Sequence, residues 1–532
     1  MTSADTLDLT VTHHQLAAIA EEMGAALIRS SFSPNIKERR DLSCAIFDRT
    51  GRMVAQAAHI PVHLGAMPLA VHAARESVPN DNWRPGDVVI LNDPYLGGTH
   101  LPDVTMVSPV FTARGSGRSR SLIGFVASRA HQADIGGMSP GSMPLARELF
   151  QEGLIIPPIK WIRAGRVQDD VLALILRNVR TPDERRGDLF AQRASHRIGE
   201  RRYVALADAM GPDTLGQRQE ALLDYGESLA RATLRSIPAG SYSAEDVLDD
   251  DGITDEWVPI RVTVTVRDGE LEVDFAGSAS EVLGPINAVR AVTVSAVSYV
   301  VRCLVGSDLP LNAGTMRPVS VIAPEGSVVN ARWPRAVAAG NVETAQRIVD
   351  VVLAALAPAL PDLIPASSHG SMSNVIIGGY VPERQTSFTY YETIGGGHGG
   401  SPHGDGLSGA QAHMTNTLNT PAEALEYAYP LRVQSYRLRD GSGGAGRHRG
   451  GDGLVREVVL DVPATITLLS ERRRKGAPGL AGGEPGAPGL NTVRHADGTV
   501  ENLPGKCERH LEAGDVLVIE TPGGGGWGTT EG

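Results

Sequence analysis

Two short histidine–aspartate pairs in the first third of the chain carry side chains that bind divalent metals. His100 and Asp103 lie in LNDPYLGGTHLPDVT, and His131 and Asp134 lie in ASRAHQADIGG, so both pairs have the spacing His-x-x-Asp. Each pair lies at the end of a predicted strand near a Gly-Gly dipeptide, where side chains three residues apart can converge. Imidazole together with carboxylate suits Zn²⁺, Mn²⁺ or Fe²⁺. The competing interpretation is turn-forming aspartates and surface histidines, because His-x-x-Asp alone is a weak pattern.

Two acidic residues add to this possible site. Asp41 comes just before a predicted strand in KERRDLSCAIFD, and Glu38 precedes it by three residues. A catalytic metal site needs three or four ligands and one position left open for water. The sequence is therefore compatible with a catalytic metal site built at strand ends, or with a set of ordinary polar turns.

A glycine-rich stretch carries the next group of polar side chains. Residues 391–426, YETIGGGHGGSPHGDGLSGAQAHMTNTLNTPAEALE, hold His398 and His403, with eight glycines between positions 395 and 409. Glycine lets the backbone approach a ligand closely and exposes N–H groups to anions. A substrate-binding or interface role and a flexible surface loop are both compatible with this composition.

Composition and missing motifs exclude several classes of protein. The 532 residues are 42% hydrophobic and 21% charged, which is typical of a globular protein. The chain has no GxxxxGK[ST] loop, no GxGxxG in a convincing βαβ unit and no GxSxG elbow. Nucleotide binding by a P-loop, dinucleotide binding and serine-hydrolase chemistry are therefore not expected. The net charge of −12 argues against nucleic acid as the main partner.

The same survey predicts the cellular location. No run of 18 apolar residues exists, and the first residues have neither a basic nor an apolar signal region. Three widely spaced cysteines fit a reduced compartment and cannot form a zinc-finger cluster. We therefore expect a cytoplasmic protein that does not span a membrane.

Hydrophobic periodicity predicts the elements that position these residues. A helix is expected over 10–31, with strands in DVVILND, VTMVSPVF and LIGFVASRAH. Hairpins are expected where CAIFD and MVAQ flank RTGR, and around the Asp268-Gly269 turn. Long helices with charged faces are expected within 167–235. The order of elements is too irregular for a doubly wound sheet or a (β/α)₈ barrel, so the predicted class is α+β, β-rich with several long helices.

The changes of pattern along the chain divide it into four predicted regions. They are a metal-binding α+β region (1–165), a helical segment (166–240), a β-rich region with a closing helix (241–365) and a Gly-rich β region (366–532).

Several stretches together resemble one known family. They are NIKERRDLSCAIFDRTGRMVAQAAHIPVHLGAMP, GDVVILNDPYLGGTHLPDVTMVSPVF, ASRAHQADIGGMSPGS, FQEGLIIPPIK, GNVETAQRIVD, GGGHGGSPHGDGLSG, TNTLNTPAEALE and ETPGGGGWG. The resemblance is to the hydantoinase B/oxoprolinase family, and it covers nearly the whole chain. The family contains the B subunit of ATP-dependent N-methylhydantoinase, 5-oxoprolinase and caprolactamase.

The resemblance implies a division of labour between two subunits. An A subunit with an actin-like ATPase fold phosphorylates the oxygen of the cyclic amide. The B subunit carries a metal-bound water that attacks the activated carbon. ATP would thus reach the reaction through the partner, which accounts for the missing nucleotide motif in this chain.

The resemblance also implies roles for individual residues. The metal ligands of the family fall here on Asp41, His100, Asp103 and His131. The insertion TARGSGRSRS lengthens the interval between Asp103 and His131. Two further acidic residues, Glu38 and Asp134, become candidates to accept a proton or to orient a ligating histidine. The Gly-rich segment with His398 and His403 is a candidate for substrate binding or for contact with the A subunit.

Two other functions remain open from the sequence. One is a subunit of an ATP-dependent ketone carboxylase of the acetone or acetophenone carboxylase type, although this chain is shorter than expected for the acetone type. The other is a non-catalytic partner that stabilises the A subunit and holds a metal only structurally. Neither the particular lactam, hydantoin or ketone nor the native metal follows from the sequence.

Overall fold

The mixed α+β class predicted from the sequence is confirmed. The computed structural model describes residues 3–63, 65–79, 82–113, 120–306 and 312–530. Most of the insertion TARGSGRSRS lies outside these residues. The described part of the chain contains ten α-helices: α1 (Ser3–Ser30), α2 (Pro34–Lys37), α3 (Ala66–Ser77), α4 (Leu149–Glu152), α5 (Asp169–Arg177), α6 (Pro182–Met210), α7 (Pro212–Ser236), α8 (Arg290–Val305), α9 (Ala345–Leu356) and α10 (Ala422–Ala428).

The first eleven described strands form two sheets. They are β1 (Leu42–Asp48), β2 (Met53–Gln56), β3 (Val88–Leu91), β4 (Asp103–Phe111), β5 (Leu122–His131), β6 (Ile159–Arg163), β7 (Arg166–Val167), β8 (Gly240–Leu248), β9 (Val258–Arg267), β10 (Glu270–Asp274) and β11 (Val319–Ile322). The first sheet has the order β2-β1-β5-β4-β3-β6-β7 and is antiparallel throughout. The second has the order β11-β10-β9-β8, with β10 and β11 parallel.

The remaining described strands form two antiparallel sheets. They are β12 (Asn374–Val381), β13 (Thr386–Thr393), β14 (Leu431–Arg439), β15 (Gly453–Leu460), β16 (Ala464–Leu469), β17 (Leu490–Arg494), β18 (Val500–Leu503), β19 (Lys506–Leu511) and β20 (Val516–Glu520). The third sheet has the order β13-β12-β16-β19, and the fourth β14-β15-β20-β17-β18. Among the described strands, antiparallel pairing therefore dominates, which excludes a doubly wound sheet or a (β/α)₈ barrel there.

Both predicted hairpins are confirmed. Strands β1 and β2 pair antiparallel across RTGR. Strands β9 and β10 pair across Asp268 and Gly269, whose φ angles are +52° and +78°. A two-residue turn of the type that matches the twist of a hairpin requires positive φ at both positions, which Asp-Gly accommodates.

The apolar core crosses the limits of the four predicted regions. Its largest cluster includes Met106 from the first region, Leu189 from the second, Val349 from the third and Leu469 from the fourth. The apolar faces of elements from all four predicted regions therefore pack together. The four regions as separate domains stay a prediction. No helix among the described residues is long and apolar enough to cross a membrane.

A buried histidine on α6 couples stability to pH. The ring nitrogens of His196 lie 2.8 and 2.9 Å from the hydroxyl oxygens of Ser108 and Ser128. Burial, with a smaller contribution from Arg193, lowers the pKa of His196 to about 3 from 6.5. In the unfolded chain His196 takes up a proton near pH 6.5, whereas in the folded chain it does so only near pH 3. The stability that the buried neutral histidine contributes is therefore complete above pH 6.5 and declines as the pH falls toward 3.

We therefore expect the free energy of unfolding to fall with acidification, by up to about 1.4 kcal/mol per pH unit through this group. Urea denaturation across the range from neutral to mildly acidic pH measures it. The variant His196→Gln, which keeps a donor and an acceptor for the two serines, should show a shallower dependence. Equal slopes for the two proteins would assign the acid sensitivity to other groups.

Residues 391–400 of the Gly-rich stretch are packed against other backbone segments and are not the flexible surface loop that the composition allowed, whereas His403 and Leu407 lie exposed. The amide of Gly451 donates to the carbonyl of His398 (2.8 Å), and the amide of Gly524 donates to the carbonyl of Gly451 (3.0 Å). A Cβ atom on Gly397 would lie 1.8 Å from the carbonyl oxygen of Gly451. Backbone segments from three parts of the chain therefore lie too close together for any side chain to fit between them.

Candidate metal centre

Strand pairing brings the ends of three adjacent strands of the first sheet together. Strand β5 lies between β1 and β4. Asp103 at the start of β4 is the register partner of His131 at the end of β5. Leu42 pairs with Ala130, and the amide of His131 donates to the carbonyl of Asp41 (3.1 Å). Residues that are up to 90 positions apart in the chain therefore become neighbours through register alone.

A tight turn before β4 adds His100 to this edge. Gly97 has φ +88°, and a Cβ on Gly98 would lie 2.6 Å from two carbonyl oxygens, so both positions require glycine. The amide of Asp103 donates to the carbonyl of His100 (3.1 Å), which closes the turn. The Gly-Gly dipeptide thus folds the chain back so that the side chains of His100 and Asp103 come into contact.

The ligand atoms of these residues converge in a buried cluster. His100 Nε2 is 3.2 Å from Asp103 Oδ1, and His131 Nδ1 is 3.3 Å from the same oxygen. The two ring nitrogens are 3.2 Å apart. An oxygen of Asp41 lies 4.0 Å from His131 Nδ1. The side chains of the first three are almost fully buried, and Asp41 is slightly more exposed.

The sequence did not single out His63, which also belongs to the cluster. Its Nε2 is 3.4 Å from Asp103 Oδ2, and its Nδ1 is 2.8 Å from the hydroxyl oxygen of Ser43. The hydroxyl of Thr99 donates to the same Asp103 oxygen. His63 is not part of a His-x-x-Asp pair. The one feature of the sequence that could have pointed to it is its position in IPVHLGAMP, a stretch that contributes to the family resemblance.

Electrostatics keep the cluster in the protonation state that binds a cation. Burial alone would raise the pKa of Asp103, but His100, His63 and the hydrogen bonds from the histidines hold it well below its usual value. Burial lowers the pKa of His131, against the opposing effect of the Asp103 hydrogen bond. At neutral pH the cluster therefore offers a carboxylate and a neutral imidazole.

The donor set fits a divalent cation. His100 Nδ1 lies 3.3 Å from the carbonyl oxygen of Ala338, so the ring proton belongs on Nδ1 and the lone pair on Nε2. With a cation present, His131 would carry its proton on Nε2, and the lone pairs of His100 Nε2, His131 Nδ1 and Asp103 Oδ1 would converge on the cation; without one, these nitrogens share protons with Asp103. In the part of the chain that the structure describes, His131 Nε2 itself has no hydrogen-bond partner. Converging lone pairs in a buried site are favourable when a cation lies between them.

Asp134 does not join the four candidate ligands. Its Oδ1 accepts from the guanidinium of Arg180 (2.8 Å), and its Oδ2 accepts from the amides of Arg180 (3.0 Å) and Gly136 (3.1 Å). Both carboxylate oxygens are thus occupied by groups that join β5 to the start of the helical region. This geometry favours a structural role, and the suggested role of Asp134 in accepting a proton or orienting a ligating histidine stays a prediction.

Glu38 lies at the end of α2 and is only half-buried. Its backbone amide donates to the carbonyl of Pro34 (2.8 Å), but among the described residues its carboxylate makes no hydrogen bond or ion pair. The neighbouring Arg39 is the buried residue of this turn, and its guanidinium lies 4.6 Å from the centre of the Tyr391 ring. The role of Glu38 as a base stays a prediction.

The two histidines of the Gly-rich stretch lie apart from the cluster. His398 Nε2 is 2.7 Å from the carbonyl oxygen of Gln411, and burial lowers the pKa of this histidine. His403 is exposed. Within the described residues, no hydrogen bond or ion pair connects either of them to Asp41, His100 or His131. Their proposed contact with substrate therefore has no support from the geometry of the lone chain and stays a prediction.

The whole chain matches one protein family. A model of the hydantoinase B/oxoprolinase family matches residues 5–530, and this chain belongs to that family. It is 39% identical to 5-oxoprolinase 1 of Arabidopsis thaliana over 99% of this chain, but that match spans only 42% of the plant protein. It is also 32% identical to the putative B subunit of a D-/L-hydantoinase from a Pseudomonas strain, over 98% of this chain and 90% of that protein.

Solved structures have the same fold. The ATP-dependent caprolactamase of Pseudomonas jessenii superposes with a TM-score of 0.90 at 30% identity, covering 99% of this chain and 92% of the other. An acetone carboxylase chain superposes with a TM-score of 0.87 at 19% identity, covering 97% and 75%. The second likeness shows the shared fold alone.

Proposed function

We propose that this chain is the metal-dependent hydrolytic subunit of an ATP-dependent lactamase or hydantoinase. Its substrate is a cyclic amide whose oxygen is phosphorylated by a separate A-type ATPase subunit. The observation that carries the proposal is the convergence of His100, Asp103 and His131, with Asp41 beside them, at one buried edge of the first sheet. A zinc, manganese or iron ion is the candidate occupant.

Each residue of the cluster has a defined task in this proposal. Asp41, His100, Asp103 and His131 hold the cation, which when bound supplies the Lewis acidity that lowers the pKa of water. The carbonyl of Ala338 holds the His100 ring with its lone pair toward the cation. His63 and Thr99 hold the second oxygen of Asp103, so that this carboxylate cannot rotate away.

The ATP requirement has a chemical reason. Resonance protects the C–N bond of an amide, and an unstrained ring favours the closed form. Phosphorylation of the oxygen makes the carbon electrophilic, and this chain would then hydrolyse the activated ring. The carboxylase alternative has no observation in its favour beyond the shared fold. The partner subunit and a cytoplasmic location remain part of the proposal.

The proposal predicts that replacing His100 removes both the bound metal and the ring-opening activity. The purified chain should contain one divalent metal, and His100→Ala should lose both that metal and ATP-dependent ring opening. Elemental analysis measures the first, and product formation from 5-oxoproline, hydantoin and caprolactam with the A-type subunit measures the second. His72→Ala is the matched control, because His72 lies exposed on α3 and, among the described residues, pairs with Glu76 alone (3.3 Å).

Two results would contradict the proposal. Stoichiometric metal in the His100→Ala protein would exclude the ligand assignment. Ring opening by the lone wild-type chain without ATP would exclude the division of the reaction between two subunits.

A further inference from the structure

The two candidate histidine ligands are held in place by different contacts. His100 Nδ1 lies 3.3 Å from the carbonyl oxygen of Ala338, which is the common arrangement for a ligating histidine. His131 lacks such a contact, because in the described part of the chain its Nε2 has no hydrogen-bond partner although the residue is buried. Rotation about χ2 would turn His131 Nδ1 away from the Asp103 oxygen, which lies 3.3 Å from it. Another contact therefore has to set the plane of this ring.

The ring of Tyr391 supplies that contact. It stacks on the imidazole of His131 with 4.6 Å between ring centres and 15° between planes. Turning the imidazole out of this plane would drive its atoms into Tyr391, and a close-packed interior leaves no space to absorb them. The rings of His100 and His131 are inclined by 57°, so the flat packing of His131 is against Tyr391.

Tyr391 is itself fixed at several points. It lies on β13 opposite Ile376 of β12, and its hydroxyl donates to Oδ1 of Asn374 (2.9 Å). The guanidinium of Arg39 lies 4.6 Å from the centre of the ring and donates to the Tyr391 carbonyl (3.2 Å). Tyr391 and Arg39 are both buried. A ring held at its hydroxyl, its face and its backbone cannot move aside when the imidazole of His131 turns.

The backbone of His131 is fixed separately. Its carbonyl accepts from the side-chain amide of Asn35 (2.7 Å), and its own amide donates to the carbonyl of Asp41 (3.1 Å). These contacts come from α2 and from the residue before β1, and they leave rotation of the imidazole about χ2 unrestricted. The position of this candidate ligand is thus set within the first sheet and its neighbours, and the plane of its ring is set from the third sheet.

We propose that Tyr391 is a positioning residue of the candidate metal centre. Its ring holds the imidazole of His131 with Nδ1 facing Asp103 and His100, in place of the hydrogen bond that holds the ring of His100. The assignment rests on the proposed function, since it takes His131 as a metal ligand. Tyr391 acts only through His131, and the flat ring is the part that acts. Phenylalanine should therefore replace tyrosine here, whereas an aliphatic side chain should not.

Titration of the metal-free chain with Zn²⁺ tests the assignment. Tyr391→Phe keeps the ring and loses only its hydroxyl, so its Kd for Zn²⁺ should stay close to that of the wild type. Tyr391→Leu loses the flat ring, and its Kd should rise by about 10-fold or more, as when an outer partner of a ligand is removed. Tyr380→Leu, at an exposed position of β12, is the matched control and should bind Zn²⁺ as the wild type does.

Urea denaturation of the metal-free proteins shows whether each variant is folded, because leucine at this buried position leaves a cavity. Tyr391→Met, whose longer side chain fills more of that space, takes the place of Tyr391→Leu if the latter does not fold.

Three further readouts separate the positioning of His131 from a general effect on folding. The absorption spectrum of bound Co²⁺ reports the geometry of the ligands, and it should change in Tyr391→Leu but not in Tyr391→Phe. In a His131→Ala background, Tyr391→Leu should cause no further rise in Kd, because Tyr391 acts only through that ring. In the complex with the A-type subunit, an excess of the metal found by elemental analysis should restore most of the ring-opening rate that Tyr391→Leu loses.

The outcomes distinguish this inference from the proposed function. An unchanged Kd in Tyr391→Leu, an equal rise in Tyr391→Phe, or a further rise in the His131→Ala background overturns the role of Tyr391 and leaves the proposed function intact. A wild-type chain that binds neither Zn²⁺ nor Co²⁺ overturns both. A wild-type complex that binds the metal but opens no ring overturns the proposed function alone.

Discussion

Replacing Asp103 by asparagine is expected to abolish metal binding and ring opening together. Asp103 contacts three histidines, because one oxygen meets His100 and His131 and the other meets His63. Asparagine has the same size but no charge, and its NH₂ group would direct a donor at ring nitrogens that must present lone pairs. The loss should exceed the roughly 10–100-fold that follows removal of an outer partner of a ligand.

The same substitution should also lower stability. Arg129 is fully buried, burial lowers its pKa to about 10, and Asp103 is the charge that counteracts this effect. Elemental analysis, product assays and urea denaturation measure the three consequences. Asp93→Asn is the matched control in the same loop, since asparagine can still accept from the Tyr95 amide as Asp93 does (2.9 Å). A stoichiometric metal in Asp103→Asn would exclude Asp103 as a ligand.

Replacing Gly397 by alanine is expected to destabilise the protein severely. Its Cβ would lie 1.8 Å from the carbonyl oxygen of Gly451 and 2.4 Å from the amide nitrogen of Gly524. Both are backbone atoms of buried segments, so neither can move without breaking hydrogen bonds that join the segments. The cost should exceed the ~1–3 kcal/mol of ordinary overpacking and reach about 4 kcal/mol or more.

Urea denaturation and the yield of folded protein measure this effect. Gly404→Ala is the matched control, because a Cβ at Gly404 would meet no atom of the described residues within 4 Å although Gly404 belongs to the same Gly-rich stretch. Similar free energies of unfolding for Gly397→Ala and Gly404→Ala would show that the backbone segments around Gly397 can move apart with little loss of stability.

The elements were predictable from the sequence because their causes are local. Apolar runs such as VVIL and LIGFVASRAH define strands that are buried on both faces, and Asp268-Gly269 supplies the positive φ angles of a tight hairpin. His100 and Asp103 could be recognised as a pair because one turn connects them. Their grouping with Asp41 and His131 was implied by the family resemblance, since spacing alone left ordinary turns as an alternative.

The Gly-rich stretch shows where local reasoning ends. Its composition was equally compatible with a flexible loop and with a binding surface. The structure shows a third arrangement, in which glycines allow backbone segments to pack against each other. Glycine permits both flexibility and close approach, and only the partner segments near Gly451 and Gly524 decide between them.

The sequence by itself determined the strands, the turn that carries His100 and Asp103, and membership of the family. Only the tertiary structure decided which other side chains surround that turn. His63 and Tyr391 come from two distant segments, and no spacing in the chain relates them to Asp103. Asp134 has the same sequence pattern as Asp103, but Arg180 neutralises it. The physical reason is that strand register and burial create the contacts and the pKa shifts, and both depend on packing between residues far apart in the chain.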